Sequence, residues 1–166
     1  MKFFLASVTI LVWAGMGVWA WSQAALESTV SATVQVQSLS VAVTDGSVAY
    51  GVLAASATQD TFTLGASDRQ VVDNDGNATI NVEIRGATTD AWDLKGTAGT
   101  DIFVHRFASD DAGNAYQVLT DSNILFKDSL DISATHPLDL EIQVPSSDTS
   151  GGSLQTADVT VVAVSP

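Results

Sequence analysis

The chain has 166 residues, with 6 basic and 19 acidic side chains, a formal net charge of −13 and no cysteine. The lack of cysteine excludes disulfides, thiolate metal sites and a thiol nucleophile. The acidic balance argues against nucleic acid or anionic lipid as partners, because no basic patch offsets it. It is compatible with divalent cations or polycations, and equally with solubility in a salty medium.

The first 24 residues have the pattern of a secretory signal peptide. Lys2 precedes an almost uninterrupted apolar run over residues 3–21, and Ser22-Gln23-Ala24 supplies the small residues that a signal peptidase requires. We expect cleavage after Ala24, which leaves residues 25–166 as a single exported domain. The alternative is that residues 3–21 stay as an uncleaved membrane anchor, since this run is just long enough to span a bilayer. Both alternatives predict a secreted or cell-surface location.

Beyond this leader the dominant hydrophobic period is two, which is typical of β-strands. Residues 27–37 are predicted to be the first strand, and polar residues alternate there with an apolar row formed by Val30, Ala32, Val34 and Val36. From Leu39 the apolar row moves to odd numbers, so we expect a bulge or twist near Gln37-Ser38.

Further short β-rich runs follow, separated by turns rich in Asp, Gly, Asn and Ser. The runs are 47–53, 61–64, 70–72, 78–84, 91–94, 101–107, 116–119, 123–126, 129–132, 138–144 and 157–164. Pro137 and Pro145 are expected to lie outside the two ends of the strand 138–144. The whole pattern predicts an all-β fold: one β-sandwich of about ten strands with Greek-key or jelly-roll-like connections.

The loop from Asp73 to Asn77, with the sequence DNDGN, is a candidate calcium site. Asp73, Asp75 and Asn77 offer oxygen ligands at the spacing that opens an EF-hand loop. The glycine comes too early, however, and the residue at the twelfth position, Ile84, cannot bind a metal. A hairpin turn built on Asp75-Gly76 is the favoured interpretation, and calcium is the alternative.

Signatures of catalysis are missing from the sequence, so we expect no enzymatic activity. The sequence DTSG at 148–151 differs from the aspartic-protease motif by an inserted Ser150, and it is interpreted as a loop. His105 shares a predicted strand face with Phe103 and Phe107, which is typical of a hydrogen-bonded core histidine.

Trp92 and Tyr116 are the aromatic residues that we consider for contact with a glycan. Trp92 and Leu94 resemble the Trp-x-Leu motif of bacterial wall-binding domains, although that family carries a second motif near the C-terminus, where this chain has ADVTVVAVSP. The interpretation of Trp92 as a core aromatic residue stays open beside this one.

The wider layout is similar to small secreted bacterial β-sandwich proteins of the cell surface. The similarity lies in the opening VSATVQVQSLSVAV, in DGNATINVEIRG and GTDIFVHRF, and in the closing VTVVAV. It implies a structural part of an extracellular filament or surface layer, with no catalytic residues. Residues 27–37 would then pair within their own domain, or leave it and complete the sheet of a neighbouring copy. The alternative function is a cell-wall glycan or polysaccharide binding module, with calcium as an optional cofactor.

Overall fold

The computed structural model describes residues 29–64, 68–108 and 115–166. The chain divides into two compact units, Met1–Val34 and Gln35–Pro166. Of the first unit, residues 29–34 are described, and they have no regular secondary structure. The predicted signal peptide or anchor lies outside the described residues. Among the described residues, no helix is long and apolar enough to cross a membrane.

The second unit contains ten strands in two sheets, and the prediction of an all-β, sandwich-like fold is confirmed. The larger sheet has seven strands, and its main path runs β1-β3-β9-β6-β5, with β2 beside β9 and β7 beside β6. Every pairing in it is antiparallel except that of β5 with β6. Its strands are β1 (Ala42–Val43), β2 (Thr58–Asp60), β3 (Gln70–Asp73), β5 (Asp93–Leu94), β6 (Ile102–Ala108), β7 (Gln117–Val118) and β9 (Thr135–Gln143).

The smaller sheet has three antiparallel strands in the order β10-β4-β8. These are β4 (Ile80–Gly86), β8 (Ile124–Leu130) and β10 (Val159–Val164). The central strand, β4, alternates strictly between buried and more exposed residues, so its Ile80, Val82 and Ile84 point into the core. Within the described part of the chain, the two outer strands of this sheet each have one edge that pairs with no other strand.

The hydrophobic core lies between the two sheets. Alternate residues of β6 and β9 face inward from the larger sheet and meet the inward residues of β4 and β8. Phe107 of β6 packs edge to face on Phe126 of β8, with ring centroids 6.0 Å apart. The alternating apolar side chains therefore lie on the inner face of each sheet, where packing against the other sheet removes them from water.

Residues 61–64 are a single helical turn, α1 (Thr61–Leu64), and their prediction as a strand is wrong. The alternation of Thr, Phe, Thr and Leu imitates a strand over so short a run. Asp60 ends β2 and accepts a hydrogen bond from the Thr63 backbone N–H at 2.7 Å, as an N-cap residue does. The Thr61 hydroxyl is buried and accepts from the Leu140 N–H, which fixes the turn on β9.

The strands also differ from the prediction at three further places. Residues 123–126 and 129–132 belong to one strand, β8, whose pairing with β4 shifts register around Val82. Ser129, with a φ of 50°, lies at this irregularity and donates its N–H to Asn81 Oδ1. Pro137 lies inside β9, opposite Val71, and not before the strand as predicted. Residues 47–53 form no strand.

The first strand of the sandwich is β1, at Ala42–Val43, and not the predicted residues 27–37. Residues 29–37, the described part of that range, belong to no strand. The predicted irregularity at Gln37-Ser38 coincides with the point after which the chain begins to bury side chains, because residues 29–39 are exposed and Ser40 and Val41 are half-buried.

Candidate functional site

Residues 29–37, named here the N-terminal segment, present an unburied apolar row. The side chains of Val30, Val34 and Val36 are 91%, 94% and 82% exposed, and Ala32 is exposed as well. Within an extended chain these four residues fall on one face. Residues 28–44 carry no charge, although the chain as a whole has a net charge of −13. The segment thus alternates like a β-strand and carries no charge, but among the described residues it pairs with no strand. This combination requires an explanation.

The loop at residues 73–77 fixes the chain where the N-terminal segment ends. The Asn77 side chain accepts the Ser38 N–H at 2.7 Å and donates to the Val36 carbonyl at 2.9 Å. The Asn77 backbone N–H donates to the Ser38 carbonyl at 3.1 Å. Gly76 permits this approach, since a Cβ there would lie 2.5 Å from the Ser38 carbonyl oxygen. We name these contacts the Asn77 clamp.

The same loop was the candidate calcium site. Asn74 is fully buried and organises the loop: its side chain donates to the Ala78 and Leu130 carbonyls and accepts the Gly76 N–H. The Asn77 oxygen already accepts the Ser38 N–H, so it is occupied within the protein. In the described part of the chain, no group of three or more His, Cys, Asp or Glu side chains is arranged to hold a metal ion. The loop joins β3 of the larger sheet to β4 of the smaller sheet, so the predicted hairpin turn at Asp75-Gly76 is wrong.

The free edge of β10 can be identified from its hydrogen bonds to β4. Ala87 donates its N–H to the Asp158 carbonyl at 3.1 Å, one position beyond the Gly86–Val159 pair. Facing pairs in an antiparallel ladder alternate between bonded and non-bonded. Gly86 belongs to a non-bonded pair, and its N–H accordingly points the other way, to the Thr120 carbonyl.

This alternation divides the residues of β10 into two sets. Thr160, Val162 and Val164 bond to β4, whereas the backbone groups of Val159, Val161 and Ala163 point to the free edge. The side chains of the latter three are half-buried and pack against the core. Among the described residues, no hydrogen bond reaches this outer edge of β10. β10 therefore offers unpaired backbone groups beside incompletely covered apolar side chains.

A cavity of about 430 Å³ lies beside this edge, between the two sheets. Val159 and Val161 line it from β10, and Leu138, Leu140 and Ile142 line it from β9. We name this cavity together with the free edge of β10 the edge groove. A second cavity of about 660 Å³ shares several lining residues with the first, so both open along the same flank; the shared residues are Val48, Tyr50, Trp92, Ile142, Leu154 and Gln155.

Tyr50 and His105 form a buried polar pair in the lining of the edge groove. The Tyr50 hydroxyl and His105 Nε2 are 3.2 Å apart, and His105 is 3% exposed. Burial lowers the pKa of His105 to about 4, and burial followed by the nearby Tyr116 raises the pKa of Tyr50 far above its usual value. Both groups are therefore neutral at pH 7. His105 Nδ1 is buried without a hydrogen-bond partner.

Trp92, the predicted glycan-contact residue, lines both cavities. Its ring nitrogen donates to Asp148 Oδ1 at 3.1 Å, and its ring packs against Phe103. The Asp148 carboxylate also accepts hydrogen bonds from Ser150 and Gly152, and these bonds, with that of Trp92, hold the pKa of Asp148 well below its usual range. The sequence 148–151 is thus a self-bonded loop.

Tyr116, the second aromatic residue considered for glycan contact, is in neither cavity. Its hydroxyl is buried without a partner, and its pKa is raised to about 12 by burial and by the carboxylates of Asp60, Asp139 and Glu141. The structure does not bring Trp92 and Tyr116 together into one binding surface.

Comparisons with protein-family models, with curated proteins and with solved structures found no match to this chain. The geometry described above is therefore the basis for assigning a function.

Sequence reasoning identified the apolar row of the N-terminal segment but missed the edge groove. The run 157–164 is recognisable as a strand, yet alternation cannot show that one edge of it lacks a neighbour. The Tyr50–His105 pair was also missed, because its members are 55 positions apart in sequence. The DG in DNDGN predicted a hairpin turn, but the loop joins β3 of the larger sheet to β4 of the smaller one, and neither Asp75 nor Gly76 has a positive φ. Nothing in the motif indicates that Asn77 would hold Ser38.

Proposed function

We propose that this chain is an exported structural protein, a subunit or decoration of an extracellular filament or cell-surface layer, whose copies associate by strand donation through residues 27–37. The observation that carries the proposal is the N-terminal segment, an alternating and uncharged run whose valines are exposed and belong to no strand. Such a segment completes a sheet when it meets an unpaired edge.

The free energy of association would come from the apolar row and from the backbone. Burial of a valine side chain stabilises by roughly 1.5–3 kcal/mol, and an added strand also pairs its backbone N–H and C=O groups. The single held end of the segment, at the Asn77 clamp, leaves residues 29–35 available to another copy. Because donor and acceptor surfaces differ, the contact is head to tail, and its repetition gives a filament when the rotation between copies does not close a ring.

Export is the second part of the proposal. It rests on the charge, apolar run and cleavage site of residues 1–24, together with the acidic composition and the absence of cysteine. Amino-terminal sequencing of protein recovered from the medium or the cell surface tests it. Ala25 as the first residue supports a cleaved and secreted product, and Met1 in a membrane fraction supports the anchored alternative.

Self-association is tested with matched substitutions in the two rows of the N-terminal segment. We expect the chain carrying Val30→Ser, Val34→Ser and Val36→Ser to remain monomeric in sedimentation velocity and to form no filaments in electron microscopy. The control, with Thr29→Ser, Thr33→Ser and Gln35→Asn, changes the polar row and should assemble like the unaltered chain. Far-ultraviolet circular dichroism confirms that both variants are folded. An unaltered chain that stays monomeric at high concentration refutes the proposal.

A second candidate function, glycan binding, is favoured by one observation. Trp92 lines two cavities together with Tyr50 and Gln155, and aromatic rings with nearby amides and hydroxyls are the groups that bind sugars. Sedimentation with insoluble cell-wall polysaccharide tests it. Binding that is lost in Trp92→Ala and retained in Tyr116→Phe would support this function.

A further inference from the structure

We propose that the edge groove, between the free edge of β10 and the inner face of the larger sheet, is the acceptor site for the N-terminal segment of a second copy of this chain. The inference rests on the proposed function and deepens it, because it assigns the surface that receives the donated strand.

The backbone of β10 supplies the first argument. Val159, Val161 and Ala163 direct their N–H and C=O groups away from β4, at an edge that no described residue bonds. A strand laid along this edge would extend the three-stranded sheet to four strands. Each such residue supplies one donor and one acceptor, so the added strand forms a regular ladder over the length of β10.

The side chains supply the second argument. Residues with edge-directed backbone groups also have side chains that face the core, and those of β10 remain only half-buried. The adjacent cavity of about 430 Å³ is lined by Leu138, Leu140 and Ile142. A strand at this edge places alternate side chains into that space, and the row Val30, Ala32 and Val34, which precedes the clamped Val36, has the required spacing and size.

Charge favours the same pairing. Neither the N-terminal segment nor β10 carries a charged residue, although the two copies that must approach each have a net charge of −13. Asp158 lines the cavity just before β10, but the donated segment and the strand itself avoid the repulsion that acidic patches would cause. The alternative acceptor, the free edge of β8, carries Lys127 and Asp128 within the strand. Charges on an edge strand disfavour pairing with another chain.

Disulfide cross-linking between two copies tests the assignment, and the absence of cysteine makes every linkage attributable. Thr160 is exposed on the outer face of β10, so Thr160→Cys is the acceptor variant. The donor variants are Ser31→Cys, Thr33→Cys and Gln35→Cys, whose side chains would face outward beside it, and Ala32→Cys, which would face inward. Each donor variant is mixed with the acceptor variant under mild oxidation and run on non-reducing gels.

We expect a mixed dimer at one or two of the polar-row positions, at least five-fold more abundant than with Ala32→Cys. The matched control is Leu125→Cys, which places a thiol on the exposed face of the other edge strand, β8, and should give no mixed dimer. Each variant alone measures the background.

The possible outcomes separate the two proposals. Suppose that the chain polymerises and that the β8 control cross-links as well as the β10 variant, that Ala32→Cys cross-links as well as the polar-row variants, or that no variant cross-links. In each of these cases the edge groove is not the acceptor, and the proposed self-association stands. If the chain neither polymerises nor cross-links, both fail. A mixed dimer confined to β10 and to alternate donor positions supports the assignment.

Discussion

At the scale of single residues, Asn77 connects the N-terminal segment to the sandwich. Its amide mimics a strand backbone, with one group accepting from Ser38 and the other donating to Val36. An aspartate at this position keeps the accepting oxygen but loses the donor, so the side chain's two hydrogen bonds can be separated by substitution.

We expect Asn77→Ala to reduce the free energy of unfolding by roughly 1 kcal/mol, because two exposed hydrogen bonds are lost and each contributes about 0.5–1.5 kcal/mol at most. Asn77→Asp should lose about half of that. Urea unfolding measures both. Asn123→Ala, which removes one exposed side-chain bond to Glu83, is the control, and an effect of Asn77→Ala no larger than this control would show that the clamp is dispensable.

His105 makes the stability of the sandwich depend on pH. Its pKa is about 4 in the folded chain, against 6.5 for an unperturbed histidine, because burial disfavours the charged ring. The unfolded chain therefore binds a proton first as the pH falls. The stabilisation is complete above pH 6.5 and is lost progressively as the pH falls toward 4.

For that reason we expect the unaltered chain to lose about 3 kcal/mol between pH 7 and pH 4 through this residue. His105→Phe keeps an aromatic ring beside Phe103 and cannot titrate, so its stability should fall less over the same interval. The midpoints of urea unfolding are measured for both proteins at three pH values. Because the two proteins carry the same carboxylates, the difference between their midpoints removes the carboxylate contribution. Parallel pH curves would contradict the assignment.

At the scale of elements, the chain around α1 is held on β9 by hydrogen bonds to the buried Asp139 carboxylate. Asp139 is fully buried and accepts hydrogen bonds from two Arg69 nitrogens, at 2.9 and 3.1 Å, and from the Thr61 hydroxyl. These contacts tie the chain around α1 to β9.

Removal of the Asp139 carboxylate deletes its hydrogen bonds to Arg69 and Thr61, although the Arg69 side chain is 27% exposed and can be solvated. We expect Asp139→Ala to destabilise the fold by about 1.5–3 kcal/mol, as for the loss of hydrogen bonds to a charged group. The exposed pair of Lys95 with Asp93 is the internal control, and Lys95→Ala should change stability by less than about 1 kcal/mol. The melting temperatures of the two variants in thermal unfolding test this prediction. Similar melting temperatures for Asp139→Ala and Lys95→Ala would contradict it.

The strands also show how far sequence reasoning reaches. Period two located β4, β6, β9 and β10, because alternate apolar residues of each face the other sheet, although β6 is buried on both faces, with Val104 as well as Phe103 removed from water. It failed at α1, where a capping aspartate outweighs a four-residue alternation, and at Pro137, which an interior strand position tolerates. It could not decide the fate of residues 29–37, since a strand that pairs in its own domain and one awaiting a partner have the same pattern.

At the scale of the whole molecule, association must overcome repulsion between acidic copies. Each chain has a net charge of −13, and the range of that repulsion falls from about 30 Å at 0.01 M salt to about 8 Å at 0.15 M. The donor segment and β10 carry no charge of their own, so the repulsion near the contact comes from neighbouring residues such as Asp158.

Polymerisation should therefore accelerate as salt rises over this interval. Light scattering of the unaltered chain measures the rate, and the variant with three serines in place of Val30, Val34 and Val36 should give no signal at either salt concentration. A rate that falls with added salt would indicate that ion pairs, and not the apolar row, join the copies.

The Asn77 clamp has a mechanical consequence in such a fibre. Tension along a donated strand enters each subunit at Ser38, where the hydrogen bonds of Asn77 and the close backbone of Gly76 receive it. The load then passes to the connection between β3 and β4, and β4 is the central strand of the smaller sheet. It also passes to β1, which has only two residues. Pulling experiments on single fibres would locate the first yielding event at this junction.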